Sequence, residues 1–79
     1  MLKIPIFFDT IEQVKQFNQA ITPFACDFDL ISGRYIVDAK SLLGIYSLDL
    51  SKPLELLVHT DEPAESAKIR EAVAPYIRK

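Results

Sequence analysis

Ser41, within the stretch 38–48, is the serine whose position in the chain suggests a chemical role. Ser41 follows a segment with strand character, 34–38, and precedes a short apolar segment, 42–48, with the character of a helix. A serine at such a junction can act as an N-cap, because its hydroxyl accepts a hydrogen bond from a free N–H of the first turn. The residues alone therefore predict a capped helix in a small α/β domain, and they specify no activity.

The other reactive side chains show no motif. His59 is the only histidine, and it falls on the outer face of a predicted strand, which favours a solvated residue. Cys26 is the only cysteine, which excludes an internal disulfide, and the acidic Asp27 beside it favours a packing role over a reactive thiol. Asp27 and Asp29 share a strand face without a third ligand, so we expect no metal and no cofactor.

The composition is that of a small folded protein. The chain has 79 residues, of which 49% are hydrophobic, and this predicts one domain spanning 1–79. Nine basic and 11 acidic residues are interspersed, and without a basic tract we expect no nucleic-acid partner. No signal-peptide segment and no run of ~20 apolar residues is present. With a single cysteine, these features predict a cytoplasmic protein without a membrane partner.

Alternating apolar and polar residues predict four strands, at 3–8, 25–31, 34–38 and 54–59. A first helix follows Asp9-Thr10, where Asp9 with Glu12, or Thr10 with Gln13, can form a capping box. Apolar residues recur along this helix at spacings of three and four, which predicts one buried stripe. The stripe comprises Ile11, Val14, Phe17 and Ile21. A last helix begins near Pro63, and Pro75 is expected to distort its final turn.

The element order β-α-β-β-α-β-α predicts an α+β fold. One face of each strand is apolar, so we expect helices packed on one side of an open, four-stranded, mainly antiparallel sheet. The first helix is a crossover, so strands one and two should be parallel, with strand four between them. The resulting order, 1-4-2-3, places Pro5 on an edge strand, where its missing N–H is tolerated.

This element order, together with Val37-Asp38-Ala39-Lys40-Ser41-Leu42-Leu43-Gly44, resembles the histidine-containing phosphocarrier (HPr) family of the bacterial sugar phosphotransferase system. That family has a Lys-Ser-aliphatic-aliphatic-Gly segment entering its short second helix. The Asp61-Glu62 start of the last helix also fits. The resemblance runs from Cys26 onward and implies an HPr-like open-faced sandwich with three helices on one face.

The sequence departs from the family where the family carries its phosphate. The phosphate-accepting histidine belongs to a Gly-Leu/Ile-His-Ala/Thr-Arg-Pro motif at the start of the first helix, and here that place reads Phe8-Asp9-Thr10-Ile11-Glu12. A phosphohistidine carrier needs an imidazole nucleophile and donors or a cation for the phosphoryl oxygens. Asp9 and Thr10 thus occupy a degenerate phosphoacceptor position, and we expect carrier activity to be lost.

The resemblance gives Ser41 a second interpretation besides the N-cap. In part of the family a dedicated kinase phosphorylates the serine at this position, and a relative that lacks the histidine acts only as a regulator. A phosphoserine would bring about −1.5 to −2 charges to a helix start, where N–H groups favour anions. Leu42, Leu43 and Tyr46 match the positions of the family's apolar docking patch. The alternative is that some of them belong to the core, and in that case Leu43 is the first one expected to be buried.

The resemblance implies that the chain binds other proteins, which would be components of the phosphotransferase system or of carbon regulation. We expect the chain itself to be a monomer or a weak homodimer. A second hypothesis is an interaction or self-association module without phosphate chemistry, which uses the open sheet face. Phe7, Ile31 and Leu57 should share that face. A third hypothesis is a phosphocarrier that uses His59 or Thr10.

Overall fold

The computed structural model describes residues 1–78 of the 79. Four strands, three α-helices and one 3₁₀ turn follow one another along the chain. In order they are β1 (Leu2–Ile6), α1 (Ile11–Ile21), β2 (Phe28–Ser32), β3 (Tyr35–Asp38), α2 (Leu42–Tyr46), β4 (Leu54–Val58), α3 (Pro63–Val73) and the 3₁₀ turn Ala74–Tyr76.

The strands form one sheet in the order β1-β4-β2-β3, and each neighbouring pair is antiparallel. Since β1 and β2 both run against β4, they are parallel to each other, as a crossover helix requires. The helices pack together against one face, with α1 in contact with both α2 and α3. The predicted fold class and strand order are confirmed, and Pro5 lies on the edge strand β1.

The core lies between the inner sheet face and the helices. Alternate residues of β1, β2 and β4 point into it, and α1 and α3 each supply a buried stripe. Its largest fully buried side chains are Phe17, Phe28, Ile4, Ile6, Ile21, Leu30, Ile45, Leu54, Leu56 and Ile69. Phe17 is at the centre of an aromatic cluster, with its ring centroid 5.2 Å from that of Phe8 and 5.8 Å from that of Tyr76.

Two local predictions are corrected. Ile11 was expected in the buried stripe of α1, but it is 57% exposed, because it is the first residue of the helix and lies a turn before Val14 reaches the core. The second strand was expected from Ala25, but β2 begins at Phe28, and the preceding residues form the loop that follows α1.

The segment after α3 closes one edge of the sheet. Pro75 falls inside the 3₁₀ turn, so the expected distortion of the last turn is confirmed. Beyond it, Ile77 forms an antiparallel bridge with Ile6. The N–H of Phe7 donates to the Tyr76 carbonyl, and the N–H of Arg78 donates to the Pro5 carbonyl, both at 2.9 Å. The β1 edge is therefore occupied by the chain itself.

None of the helices within residues 1–78 has both the length and the apolar character needed to cross a membrane.

Candidate functional site

Ser41 is exposed and forms the N-cap of α2. Its Oγ accepts a hydrogen bond from the N–H of Gly44 at 3.3 Å, and its carbonyl accepts one from Ile45 at 3.0 Å. Its own N–H donates to the Asp38 carbonyl at 3.0 Å, which fixes the turn between β3 and α2. The capping role expected from the sequence is confirmed, and the hydroxyl lies at the protein surface.

Asn18 of α1 holds the backbone just before Ser41. Its Nδ2 donates to the carbonyl oxygens of Ala39 and Lys40, at 3.3 and 2.9 Å. Asn18 is half-buried, so these two bonds are only partly exposed to competition by water. Sequence reasoning missed this residue, because its bonding partners lie more than 20 positions away and no local pattern marks them.

Lys40 directs its charge to the loop after α1 rather than to the cap. Its Nζ donates to the Phe24 carbonyl and lies 5.6 Å from the centroid of the Phe28 ring. A cation over an aromatic face gains about 0.5–1 kcal/mol when it is partly exposed. The ammonium nearest to Ser41 in sequence therefore serves to fix the loop.

The three apolar residues of the candidate docking patch differ in exposure. Leu43 is 84% exposed, whereas Leu42 and Tyr46 are half-buried and pack against the edge of the core. The expectation that Leu43 would be the buried member was wrong. Ile45 fills the core instead, and residues two apart on a helix point about 200° from each other, so Leu43 faces outward.

The start of α1 settles which capping pair forms. Thr10 is the N-cap, and its Oγ1 accepts from the N–H of Gln13 at 3.2 Å. The Gln13 side chain reaches back and accepts from the N–H of Asp9 at 2.7 Å. Of the two alternatives that the sequence left open, the pair of Thr10 with Gln13 is present.

Asp9 and Thr10 border a shallow hollow of about 350 Å³. The hollow is lined by Phe7, Phe8, Asp9, Thr10, Ile11, Leu50 and Ser51. Asp9 is the one charged residue in this lining, and no imidazole or basic side chain belongs to it. Within residues 1–78, this hollow and the Ser41 helix start share no lining residue and no hydrogen bond.

His59 has one close polar partner on the open side of the sheet. Its Nε2 lies 2.7 Å from Oδ2 of Asp29, and both side chains are about one-third exposed. The pairing of β2 with β4 places Asp29 opposite Leu57 and therefore diagonal to His59 on the same face of the sheet, so the register could have predicted the contact. Ile31 and Leu57 on the same face are half-buried. Within residues 1–78, no group of three or more His, Cys, Asp or Glu is arranged to hold a metal.

Cys26 is half-buried against the edge of the core. Burial raises the pKa of its thiol, and Glu65 raises that pKa further through a hydrogen bond and its negative charge. A higher pKa leaves less of the reactive thiolate at a given pH. The packing role proposed from the sequence fits this environment.

We expect the folded protein to react with iodoacetamide at pH 8 more slowly than the urea-unfolded chain, because the raised pKa of Cys26 leaves it a smaller fraction of thiolate. Glu65→Gln should speed the reaction, while Glu71→Gln on the same helix should leave it unchanged. Equal rates for the folded and unfolded chains would contradict this expectation.

The raised pKa of Cys26 also makes stability depend on pH, because the thiol has a higher pKa in the folded chain than in the unfolded chain. Its contribution to stability is fully present below the unfolded pKa, and it is lost as the pH rises from there toward the folded pKa.

One of the solved structures similar to this chain is the crystal structure of HPr-C-His from Thermoanaerobacter tengcongensis. It has 23% sequence identity and a TM-score of 0.76, and the match covers 98% of this chain and 91% of that one. A scan against protein-family models and a search of curated proteins gave no match. The match to the solved structure spans nearly all of both chains, and at this identity it bears on the fold alone. The chain has an HPr-like fold.

Proposed function

We propose that residues 1–79 act as one HPr-like domain that regulates or binds other proteins and does not carry phosphoryl groups. Its working surface would be the start of α2, with Ser41 as the modified residue and Leu43, flanked by Leu42 and Tyr46, as the docking side chain. The observation that carries the proposal is the exposure of Leu43 to 84% two residues after an exposed serine, in a helix otherwise packed on the core. Exposed apolar side chains of this kind mark protein contacts when they cluster.

The loss of carrier activity is supported by the chemistry at the start of α1. A transferable phosphoryl group needs a nucleophile, and its oxygens need donors or a cation. The hollow beside Thr10 offers the Thr10 hydroxyl, which is used as a helix cap, and the Ser51 hydroxyl, which donates to Asp49. It also holds the carboxylate of Asp9, which would repel the incoming group. The proposed partners are therefore proteins of a phosphotransferase or carbon-regulation system in a cytoplasmic setting, met through α2.

Phosphorylation of Ser41 is tested with the serine kinase of a bacterium that has the phosphotransferase system. We expect mass spectrometry to show one added phosphate on the intact protein, located at Ser41 after digestion. Ser41→Asn should abolish the gain, because asparagine keeps the N-cap and removes the hydroxyl. Ser47→Ala, at the C-cap of the same helix, should be labelled like the original chain.

The docking patch is tested in the same reaction. Leu43→Asp should slow labelling of Ser41 by about tenfold, the effect of losing 1.4 kcal/mol of contact, while the unfolding curve stays unchanged because the side chain is exposed. Incubation with phosphoenolpyruvate and the first enzyme of the system should give no acid-labile phosphate. An acid-labile gain would refute the loss of carrier activity, and absence of kinase labelling would refute the role of Ser41.

A further inference from the structure

The two edges of the sheet are treated differently by the chain. Residues 76–78 lie along the β1 edge and bond to it, and Pro5 has no N–H to offer there. The opposite edge is β3, and within residues 1–78 no other strand pairs with its outer side. An uncovered strand edge is a template for pairing with another chain.

The register identifies the backbone groups that this edge presents. The N–H of Ala39 donates to the Phe28 carbonyl at 2.9 Å, so residues 28 and 39 form a hydrogen-bonded pair. Hydrogen-bonded and non-hydrogen-bonded pairs alternate along an antiparallel ladder, so Ile36 opposite Ile31 belongs to the second kind. The N–H and C=O of Ile36 therefore point away from β2, toward the open edge.

The side chains at this edge are unusually apolar for an unpaired strand. Tyr35 is 72% exposed and Ile36 is 63% exposed. Proteins commonly protect such edges with short strands, charged residues, proline or a bulge. β3 has no proline, lysine or bulge, and its protection is limited to its length of four residues and to Asp38 at its end. Its charged residues are Asp38 at its end and Arg34 just before its start, and each is two positions from Ile36.

We propose that β3 pairs antiparallel with β3 of a second copy of this chain, around a two-fold axis at Ile36. In that register Ile36 faces its own counterpart, and the two residues exchange both backbone hydrogen bonds. Arg34, in the turn just before β3, then comes next to Asp38 at the end of the other copy's β3, within reach of its long side chain, so two equivalent ion pairs can form. Antiparallel registers centred on any other residue lose this match, so the charge pattern selects one alignment.

The isolated chain also has an electrostatic conflict that this pairing relieves. Asp29 and Asp38 are direct cross-strand partners, and like charges in that position are destabilising. The Asp29 carboxylate has His59 Nε2 at 2.7 Å, whereas within residues 1–78 the Asp38 carboxylate accepts from a single group, the backbone N–H of Lys40, at 2.9 Å. Arg34 has no carboxylate within ion-pair distance among residues 1–78. In the dimer, Asp38 gains an arginine and Arg34 gains a carboxylate, and both come from the second copy.

The dimer should be weak, because β3 has only four residues and such an edge buries far less surface than a standard interface. Sedimentation equilibrium at low salt, up to about 1 mM protein, is the appropriate measurement. We expect a reversible dimer for the unmodified chain. Arg34→Asp or Asp38→Arg should each raise the dissociation constant about tenfold or more, because two attractions become two repulsions.

An equimolar mixture of the two variants is the decisive sample. One variant then has two acidic positions and the other two basic ones, so the mixed pair is fully complementary and should associate at least as well as the unmodified chain. Lys3→Asp is the matched control, since it reverses an exposed charge on β1, at the opposite edge of the sheet, and should leave the dissociation constant unchanged. Circular dichroism of each variant checks that it is folded.

A second measurement does not depend on charge. The amide of Ile36 should exchange with solvent quickly in dilute protein and become protected as concentration rises. Ile36→Pro removes that outward donor without removing a bond to β2, and it should abolish the dimer in a folded chain. A chain that stays monomeric up to about 1 mM, or a mixture that associates no better than either variant alone, would overturn the proposal.

Discussion

Replacing Phe17 by alanine is expected to lower the free energy of unfolding by about 3–5 kcal/mol, which is the cost of removing a buried aromatic ring and leaving a cavity. The ring is fully buried and packs edge-to-face with Phe8 and Tyr76, so its loss also removes aromatic contacts worth about 0.5–1.5 kcal/mol each. A chain of this length has a total stability of only about 4–12 kcal/mol. The expected loss is therefore a large fraction of the total, about a quarter of it at the least.

Urea unfolding followed by circular dichroism measures this loss. Ile11→Ala on the same helix is the matched control, because an exposed substitution should change stability by less than about 0.5–1 kcal/mol. Phe17→Leu should give an intermediate value, since it keeps part of the volume. Equal unfolding curves for Phe17→Ala and Ile11→Ala would show that the aromatic cluster does not hold the helices on the sheet.

Asn18→Asp is expected to cost about 1–3 kcal/mol at neutral pH and to loosen the approach to Ser41. The substitution replaces a donating amide by a carboxylate that faces two carbonyl oxygens, so two donated bonds become repulsions. The same repulsion would raise the folded pKa of the new carboxyl above its unfolded value, near 3.9. Its stability contribution would then be fully present below that value, and it would be lost as pH rises through the folded pKa.

The control for this variant is Gln19→Glu, the same chemical change on the exposed next residue. Gln19→Glu should leave both stability and the exchange rates of the α2 amides unchanged, while Asn18→Asp should speed exchange in the turn at residues 39–41. A pH-independent loss in Asn18→Asp would indicate a packing defect, and no loss at all would contradict the assigned hydrogen bonds.

Much of the fold could be predicted, because strand alternation and helix spacing are local properties. The missing N–H of Pro5 requires an edge position, and the crossover helix requires β1 and β2 to be parallel, so two local facts restrict the strand order. The errors arose where an apolar residue fits a helical pattern without reaching the core. Ile11 is the first residue of α1, and Leu43 points outward because Ile45, two positions further on, points into the core.

The supports of the candidate site could not be predicted in the same way. Asn18 and Lys40 act through carbonyl groups on other elements, and backbone acceptors leave no trace in side-chain patterns. The contact of His59 with Asp29 is different, because His59 directly follows β4, Asp29 is on the paired strand β2, and their diagonal placement follows from the register once it is known. The unprotected β3 edge likewise emerges only when the strand order is established.

The anchoring of Lys40 has a consequence for how a modified Ser41 would be recognised. With its ammonium bound to the Phe24 carbonyl and placed over Phe28, the nearest lysine in sequence is already occupied. A phosphate on Ser41 could pair with this ammonium only if Lys40 gave up both contacts. A docking protein that brings its own basic side chain would face no such loss, so a cation on the partner is the expected means of telling the two forms apart.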